Sequence, residues 1–238
     1  MTHSSNDQLA ALARKVVSAA AEKNRVVRAL GGVAVHMTCP SFETHPALQR
    51  AVKDVDLVAR RKDFDAAAEV FAGLGATLRA KESGQWKFDK GGIEIELAVP
   101  TFREYHRIDL GPRLALSSPT LPPADLLLIK LQRRDFVEKD LQDSIALLLD
   151  HDVAETEDGE RINADYIAKL CARDWGLFTT VYDNTLALEK TLDKFLGAEE
   201  AQLVWQRIER IQGEMDRQPK SLGWMLNQII KRPAQVPA

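Results

Sequence analysis

Two aspartates separated by one apolar residue constrain this chain more than any other feature. They stand in Asp54-Val55-Asp56-Leu57-Val58-Ala59. Alternation of this kind has the period of a β-strand. Successive strand side chains point to opposite faces, so both carboxylates project from the same face. Two unpaired carboxylates side by side repel each other and resist desolvation. A hard cation such as Mg²⁺, which prefers oxygen ligands, removes that conflict. Upstream, Gly31-Gly32 closes the apolar stretch at residues 25–30 and opens a short helix over residues 33–38. Glycine there lets backbone N–H groups at a helix N-terminus approach a phosphate. A glycine turn followed by a two-carboxylate strand suggests handling of a nucleoside triphosphate. The alternative is structural: an Asp-x-Asp word also fits the solvated face of an edge strand, and Gly-Gly also fits a plain turn.

The chain has 238 residues, enough for one large domain or two small ones. Its net charge of −3 gives no general attraction to nucleic acid or an anionic membrane. The two cysteines, Cys39 and Cys171, are far apart and make neither a metal motif nor a disulfide framework. Together with a polar start lacking signal-peptide order, and no apolar run of the ~18 residues a membrane span needs, this points to a cytoplasmic protein without a membrane partner. There is no Walker A word, no Gly-x-Gly-x-x-Gly and no Gly-x-Ser-x-Gly, which leaves a P-loop ATPase, a Rossmann dehydrogenase and an α/β-hydrolase unsupported. His36 and His45 lack the neighbours that a zinc site needs by spacing; His36 reads as a packing residue or one that supports a neighbouring site residue, and His45 as a loop residue.

Taken in order, residues 1–6 read as a frayed tail and a helix follows from Asp7. After the aspartate strand, Asp63 is placed to cap a helix whose apolar face is Phe64, Ala67, Ala68, Phe71 and Leu74, with Gly75 at its C-terminus. Short strands at 76–80 and 85–88 surround Ser83-Gly84. Asp89-Lys90-Gly91-Gly92 is a hairpin signal that leads into Ile93-Glu94-Ile95-Glu96-Leu97-Ala98-Val99, a strand with two glutamates on one face. Residues 100–118 read as irregular, with a strand at 114–116. Trp86, Tyr105 and His106 fit pocket lining or core packing equally. Prolines 122 and 123 open a helix over 125–134, and a second runs from 138 to 151. The acid-rich residues 152–160 read as an exposed linker, and 163–173, 175–196, 198–217 and 221–230 as helices. The end, from Arg232 to Ala238, reads as loose. The expectation is an α/β (α+β) fold: a small mixed sheet flanked by helices over residues 1–151, then a helical C-terminal domain over 161–238.

At this point the chain resembles the nucleotidyltransferase superfamily, of DNA polymerase beta-like fold, and within it the AbiEii-like toxin branch and related uncharacterised nucleotidyltransferases. The words that carry the resemblance lie between about residues 25 and 150, with bounds good to a few residues. They are Leu30-Gly31-Gly32; Arg50-x-x-Lys53-Asp54-Val55-Asp56-Leu57-Val58; Ile95-Glu96-Leu97; and Pro123-Ala124-Asp125-Leu126-Leu127-x-x-Lys130-Leu131, followed by Lys139-Asp140-Leu141-x-Asp143. Gly32 stands where the superfamily commonly has Ser, and Glu96 where its third acid is usually Asp. The resemblance implies that Gly31 and Gly32 hold phosphates, and that Asp54, Asp56 and Glu96 bind Mg²⁺, two ions in all, and do the catalysis. It further implies that Lys130 contacts the nucleotide and that Asp143 accompanies it. The implied activity is a Mg²⁺-dependent transferase moving a nucleoside monophosphate from an NTP to a hydroxyl on tRNA, protein or a small molecule. A toxin–antitoxin role, with an antitoxin as partner, comes with the branch. The rival is a non-catalytic binding module on the same fold. Of the two glutamates, Glu96 is the one the resemblance selects.

Overall fold

The computed structural model describes residues 2–230. The chain end expected to be loose, from Arg232, lies outside them. The chain forms two compact units, one of Met1–Thr44, Gln49–Arg103 and Arg107–Pro122, the other of His45–Leu48, Glu104–His106 and Pro123–Ala238.

The first unit is a sheet with helices on it. Its elements are α1 (Thr2–Glu22), β1 (Val27–Ala29), α2 (Gly31–Thr38), α3 (Ser41–Thr44), β2 (Asp54–Ala59), α4 (Phe64–Gly73), β3 (Thr77–Lys81), β4 (Gln85–Lys90), β5 (Ile93–Ala98), β6 (Thr101–Phe102) and β7 (Ile108–Asp109). Strand order is β1-β2-β5-β4-β3. β2 and β5 are parallel and the other neighbours antiparallel, so the sheet is mixed. Helix α1 packs on α2, α4, β1 and β2. Alternation decides which side chains meet the helices: Val55, Leu57, Ile95, Leu97, Trp86 and Phe88 are fully or almost fully buried. Phe71 of α4 meets the Phe88 ring edge-on at 4.5 Å, and Phe64 meets Trp86 at 5.4 Å. Trp86 is thus core, not pocket lining. The alternate residues of β2 and β5, including the acids, fall on the opposite face of the sheet.

The glycines mark turns as expected. Gly75 has φ +81, its N–H donates to Ala72 O, and the next N–H, of Ala76, donates to Phe71 O. That pair of bonds closes α4 as a Schellman motif. Gly91 and Gly92 both have positive φ between the paired residues Lys90 and Ile93, the two-residue hairpin geometry that suits strand twist.

Several expectations are corrected. The helix α1 already begins at Thr2, where a frayed tail was read. Asp63 makes no capping bond; it is buried, and Arg25 reaches it at 3.3 Å. His45, read as a loop residue, directly follows the short helix α3. Residues 114–116 form no strand; the local pairing is β6 with β7.

The second unit holds α5 (Pro123–Leu131), α6 (Glu138–Asp150), β8 (Val153–Ala154), β9 (Ile162–Asn163), α7 (Ala164–Cys171), α8 (Trp175–Glu189), α9 (Leu192–Phe195), α10 (Ala198–Arg217) and α11 (Leu222–Ile230). Helices α5 and α6, which the sequence division at residue 151 put with the sheet, belong to this unit. Asn163 and Asp174 cap α7 and α8 through the N–H groups of Tyr166 and Leu177. Helix α10 packs on α6, α7 and α8. Its Arg207 donates to the carbonyls of Leu148 and Leu149 at 2.7 and 2.8 Å, satisfying orphan acceptors at the end of α6. The expected acidic linker is partly core: Val153 and Ala154 are buried in the parallel pair of β8 with β9. Asp158 accepts the N–H groups of Glu160 and Arg161, which pulls its carboxyl down to about 2. No helix among the described residues is long and apolar enough to cross a membrane.

Candidate active site

The site is built where β1 hands over to α2 beside β2. Leu30 is extended, and its N–H donates to Asp56 O at 3.1 Å, which ties the glycine turn to β2. Gly31 then adopts φ +67. This is a left-handed conformation that costs an L side chain about 1–2 kcal/mol. Space forbids a side chain as well: a Cβ on Gly31 would lie 2.0 Å from Asp56 Oδ2. At Gly32 a Cβ would lie 2.5 Å from Arg50 Nη2. The turn is therefore flanked by a carboxylate on one glycine and a guanidinium on the other. Helix α2 starts without a side-chain cap. Its first N–H groups are donors of the kind that receive phosphate oxygens.

The parallel register of β2 and β5 places Asp54 opposite Glu94 and Asp56 opposite Glu96. Paired residues point to the same face, so four carboxylates share one patch of sheet. Lys87 of β4, opposite Glu96, sets its ammonium 3.1 Å from Glu94 and 3.7 Å from Glu96. The hydrogen bond to Glu94, with the charges of both glutamates, raises the Lys87 pKa. The Glu96 carboxyl is held above the ordinary carboxylate range, first by burial and then by the charges of Asp54 and Glu94, with Lys87 opposing. Glu94 is the more exposed, at 55% of its side chain against 30% for Glu96. The donor set is all oxygen, and its carboxylates disfavour one another's charge. Both properties fit a hard divalent cation.

The structure thus brings Gly31, Gly32, Asp54, Asp56 and Glu96 into the first unit. Arg50 joins them; as a role it was missed, though the residue was part of the motif that drew attention to the aspartates. It also lies over the Phe42 ring, 5.4 Å from the centroid. Lys130 belongs to the second unit, where its ammonium is held by Asp143 at 2.7 Å and Asp140 at 3.3 Å. Both acids are buried, and Arg133 Nε lies 3.4 Å from Asp140. Lys130 therefore acts in this structure as the cation of a buried ion-pair cluster. Tyr105 and His106 are also in the second unit. The Tyr105 hydroxyl donates to Asp135, which pushes its pKa up to about 12. His106 is buried with Nε2 3.0 Å from Thr180 Oγ1, and burial lowers its pKa. Sequence spacing also gave no sign that His36 gathers two carboxylates, from Asp7 and Glu43.

No family model matches the chain, and no curated protein matches it. Several solved structures resemble its backbone. The solution structure of the antibiotic-resistance factor ANT(2'')-Ia has 11% identity and a TM-score of 0.43, covering 89% of this chain and 96% of that one. A crystal structure of ANT(2'')-Ia in complex with adenylyl-2''-tobramycin has 12% identity and a TM-score of 0.37, covering 87% and 94%. An antigenic nucleotidyltransferase-like protein from Paracoccidioides brasiliensis has 13% identity and a TM-score of 0.41, covering 94% and 99%. These are loose likenesses, and the function below rests on the residues themselves.

Proposed function

We propose that the first unit is the catalytic part of a nucleotidyltransferase, moving a nucleoside monophosphate from an NTP to a hydroxyl on RNA, protein or a small molecule, with the α–β phosphoanhydride bond broken and pyrophosphate leaving. The observation that supports this most is the register that pairs Asp54 and Asp56 with Glu94 and Glu96 beside a turn whose Gly31 touches Asp56. Asp54, Asp56 and Glu96 would hold Mg²⁺, which when bound supplies neutralisation of triphosphate charge. The chain's own part is positioning. The N–H groups at the start of α2 donate to phosphate oxygens, and Gly31 keeps that approach clear. Arg50, beside Gly32, presents a planar guanidinium suited to bidentate phosphate contact. Where the two aspartates alone hold the metal, Glu96 would take the proton of the incoming hydroxyl at its carboxylate oxygen.

One observation favours a second reading. Lys87 already neutralises part of the carboxylate patch without metal. A non-catalytic binding module uses the same residues if Lys87 is their permanent counter-ion. The two readings separate in one assay: purified chain, each α-labelled NTP, tRNA and aminoglycoside acceptors, with and without Mg²⁺. The transferase gives Mg²⁺-dependent label transfer or nucleotide binding that Asp54→Asn and Asp56→Asn each abolish while the circular dichroism spectrum is kept. No nucleotide response in the wild type, or an equal response in both variants, overturns the proposal. The toxin role is tested separately, by growth arrest on induction that Asp54→Asn relieves.

A further inference from the structure

We propose that Asp7, His36 and Glu43 form a second metal site, for a divalent transition ion of the Zn²⁺ class. One ligand atom from each of the three side chains lies within 4.8 Å of the others. His36 Nε2 is 3.2 Å from Glu43 Oε1 and 3.5 Å from Asp7 Oδ1. Nitrogen and oxygen ligands bound at about 2.0–2.2 Å in tetrahedral geometry stand roughly 3.3–3.5 Å apart. The 3.2 and 3.5 Å separations lie close to that spacing.

Hydrogen bonding alone accounts for the group less well. One Nε2–H serves one carboxylate, and here two converge on it. Ring Nδ1 is buried with no hydrogen-bond partner among the described residues, so a proton there is disfavoured whether Nε2 carries a second proton or a metal. A metal on Nε2 answers both carboxylates at once. Its positive charge also suits a side chain of which only 3% is exposed between two acids.

The three ligands are held in place independently of any ion. Asn6, the neighbour of Asp7, is buried and its amide donates to Arg50 O and accepts from Val52 N, both at 2.9 Å. That fixes the start of α1. The edge of the His36 ring packs on Phe42, 5.4 Å between centroids, and Phe42 precedes Glu43 in α3. Asp7 is exposed and Glu43 half-buried, so an ion has an entry path and water can complete its shell. The imidazole ligand selects zinc, cobalt or nickel over magnesium or calcium. The ion would tie α1 and α3 to α2, the helix whose first residues are Gly31 and Gly32.

Zn²⁺, Co²⁺ and Mg²⁺ titrated into the metal-stripped full chain test this, with a competing chromogenic chelator and thermal melts. The expected result is one equivalent of Zn²⁺ bound, a raised Tm, and visible d–d absorption when Co²⁺ replaces it. Asp7→Asn and Glu43→Gln, both at accessible positions, should each weaken Zn²⁺ by about tenfold or more and bleach the Co²⁺ signal. Asp54→Asn should leave Zn²⁺ binding as it is. Wild-type affinity in both ligand variants, absence of Zn²⁺ binding, preference for Mg²⁺, or loss of Zn²⁺ in Asp54→Asn would each overturn the proposal.

Discussion

A Cβ on Gly31 would stand 2.0 Å from Asp56 Oδ2, so the turn at the start of α2 and the carboxylate of β2 occupy adjoining space. The neighbouring glycine is different: its Cβ would meet the far end of the Arg50 side chain at 2.5 Å, and Gly32 has no left-handed φ. The two positions should therefore fail in different ways.

Gly31→Ala adds left-handed strain, about 1–2 kcal/mol, and must also displace Asp56. Gly32→Ala displaces the far end of a flexible side chain and adds no left-handed strain, so it should lower the Tm less than Gly31→Ala does. Yet it should weaken nucleotide binding, because Arg50 is moved from beside the α2 N-terminus. Melts beside a MgNTP titration check this. A Gly32→Ala protein with unchanged affinity would remove Arg50 from the phosphate contact.

The contrast between these positions was only partly readable beforehand. Alternation in 54–59 gave β2 its bounds and put both aspartates on one face, because period two follows from strand geometry whatever the neighbours do. The Gly91-Gly92 hairpin was readable for the same reason: its conformation is local. What escaped depended on partners distant in sequence. Asp63 had the right type and place for a cap, but Arg25, on the far side of α2 and β2 in sequence, draws it inward. Glu94 and Glu96 share a strand face, and only the register with β2 shows which aspartate each one meets. The acids of 152–160 concealed Val153 and Ala154, whose pairing with β9 makes that stretch part of a core. His36 looked solitary because its companions come from α1 and α3.

Lys130 is expected to be a stability residue of the second unit. Two carboxylates, 1% and 0% exposed in Asp140 and Asp143, depend on it. Removing one partner of a buried ion pair costs about 3–5 kcal/mol, on the order of 10 °C in a chain of this size. Lys130→Met should therefore lower the Tm strongly, and adding Asp143→Leu should recover part of the loss, since the buried carboxylate 2.7 Å from the deleted ammonium is then gone too. Additive losses in that double-mutant cycle would show that the 2.7 Å pair carries no coupling.

Lys87→Met tests whether the carboxylate patch needs its ammonium. Without it, Glu94 and Glu96 lose the ammonium that lies 3.1 and 3.7 Å from them. The metal-free protein should lose a little stability at neutral pH, within what an exposed pair contributes. The rise in Tm on adding Mg²⁺ should grow, because the ion now has no competitor. A Mg²⁺ response smaller than that of the wild type would place Lys87 inside the binding machinery and count for the module reading.

Glu96 gives the pH dependence. Burial first, and then Asp54 and Glu94, hold its carboxyl above its ordinary value of 4.5 in the folded chain. Between 4.5 and that raised pKa the folded state binds more protons than the unfolded one, so stability falls as pH rises through this window. Above the window the ionised Glu96 opposes folding of the metal-free protein; below 4.5 the opposition is gone. Glu96→Gln should accordingly raise the Tm of metal-free protein at pH 7.5 and leave it close to wild type at pH 4. With Mg²⁺ and NTP present the order should reverse at pH 7.5, because the wild type gains a metal ligand that glutamine does not replace. Melts of both proteins at the two pH values, with and without ligand, decide it. A variant less stable than wild type by the same amount at pH 4 and pH 7.5, metal-free, would mean that Glu96 is held by favourable contacts and is not the strained acid of the site.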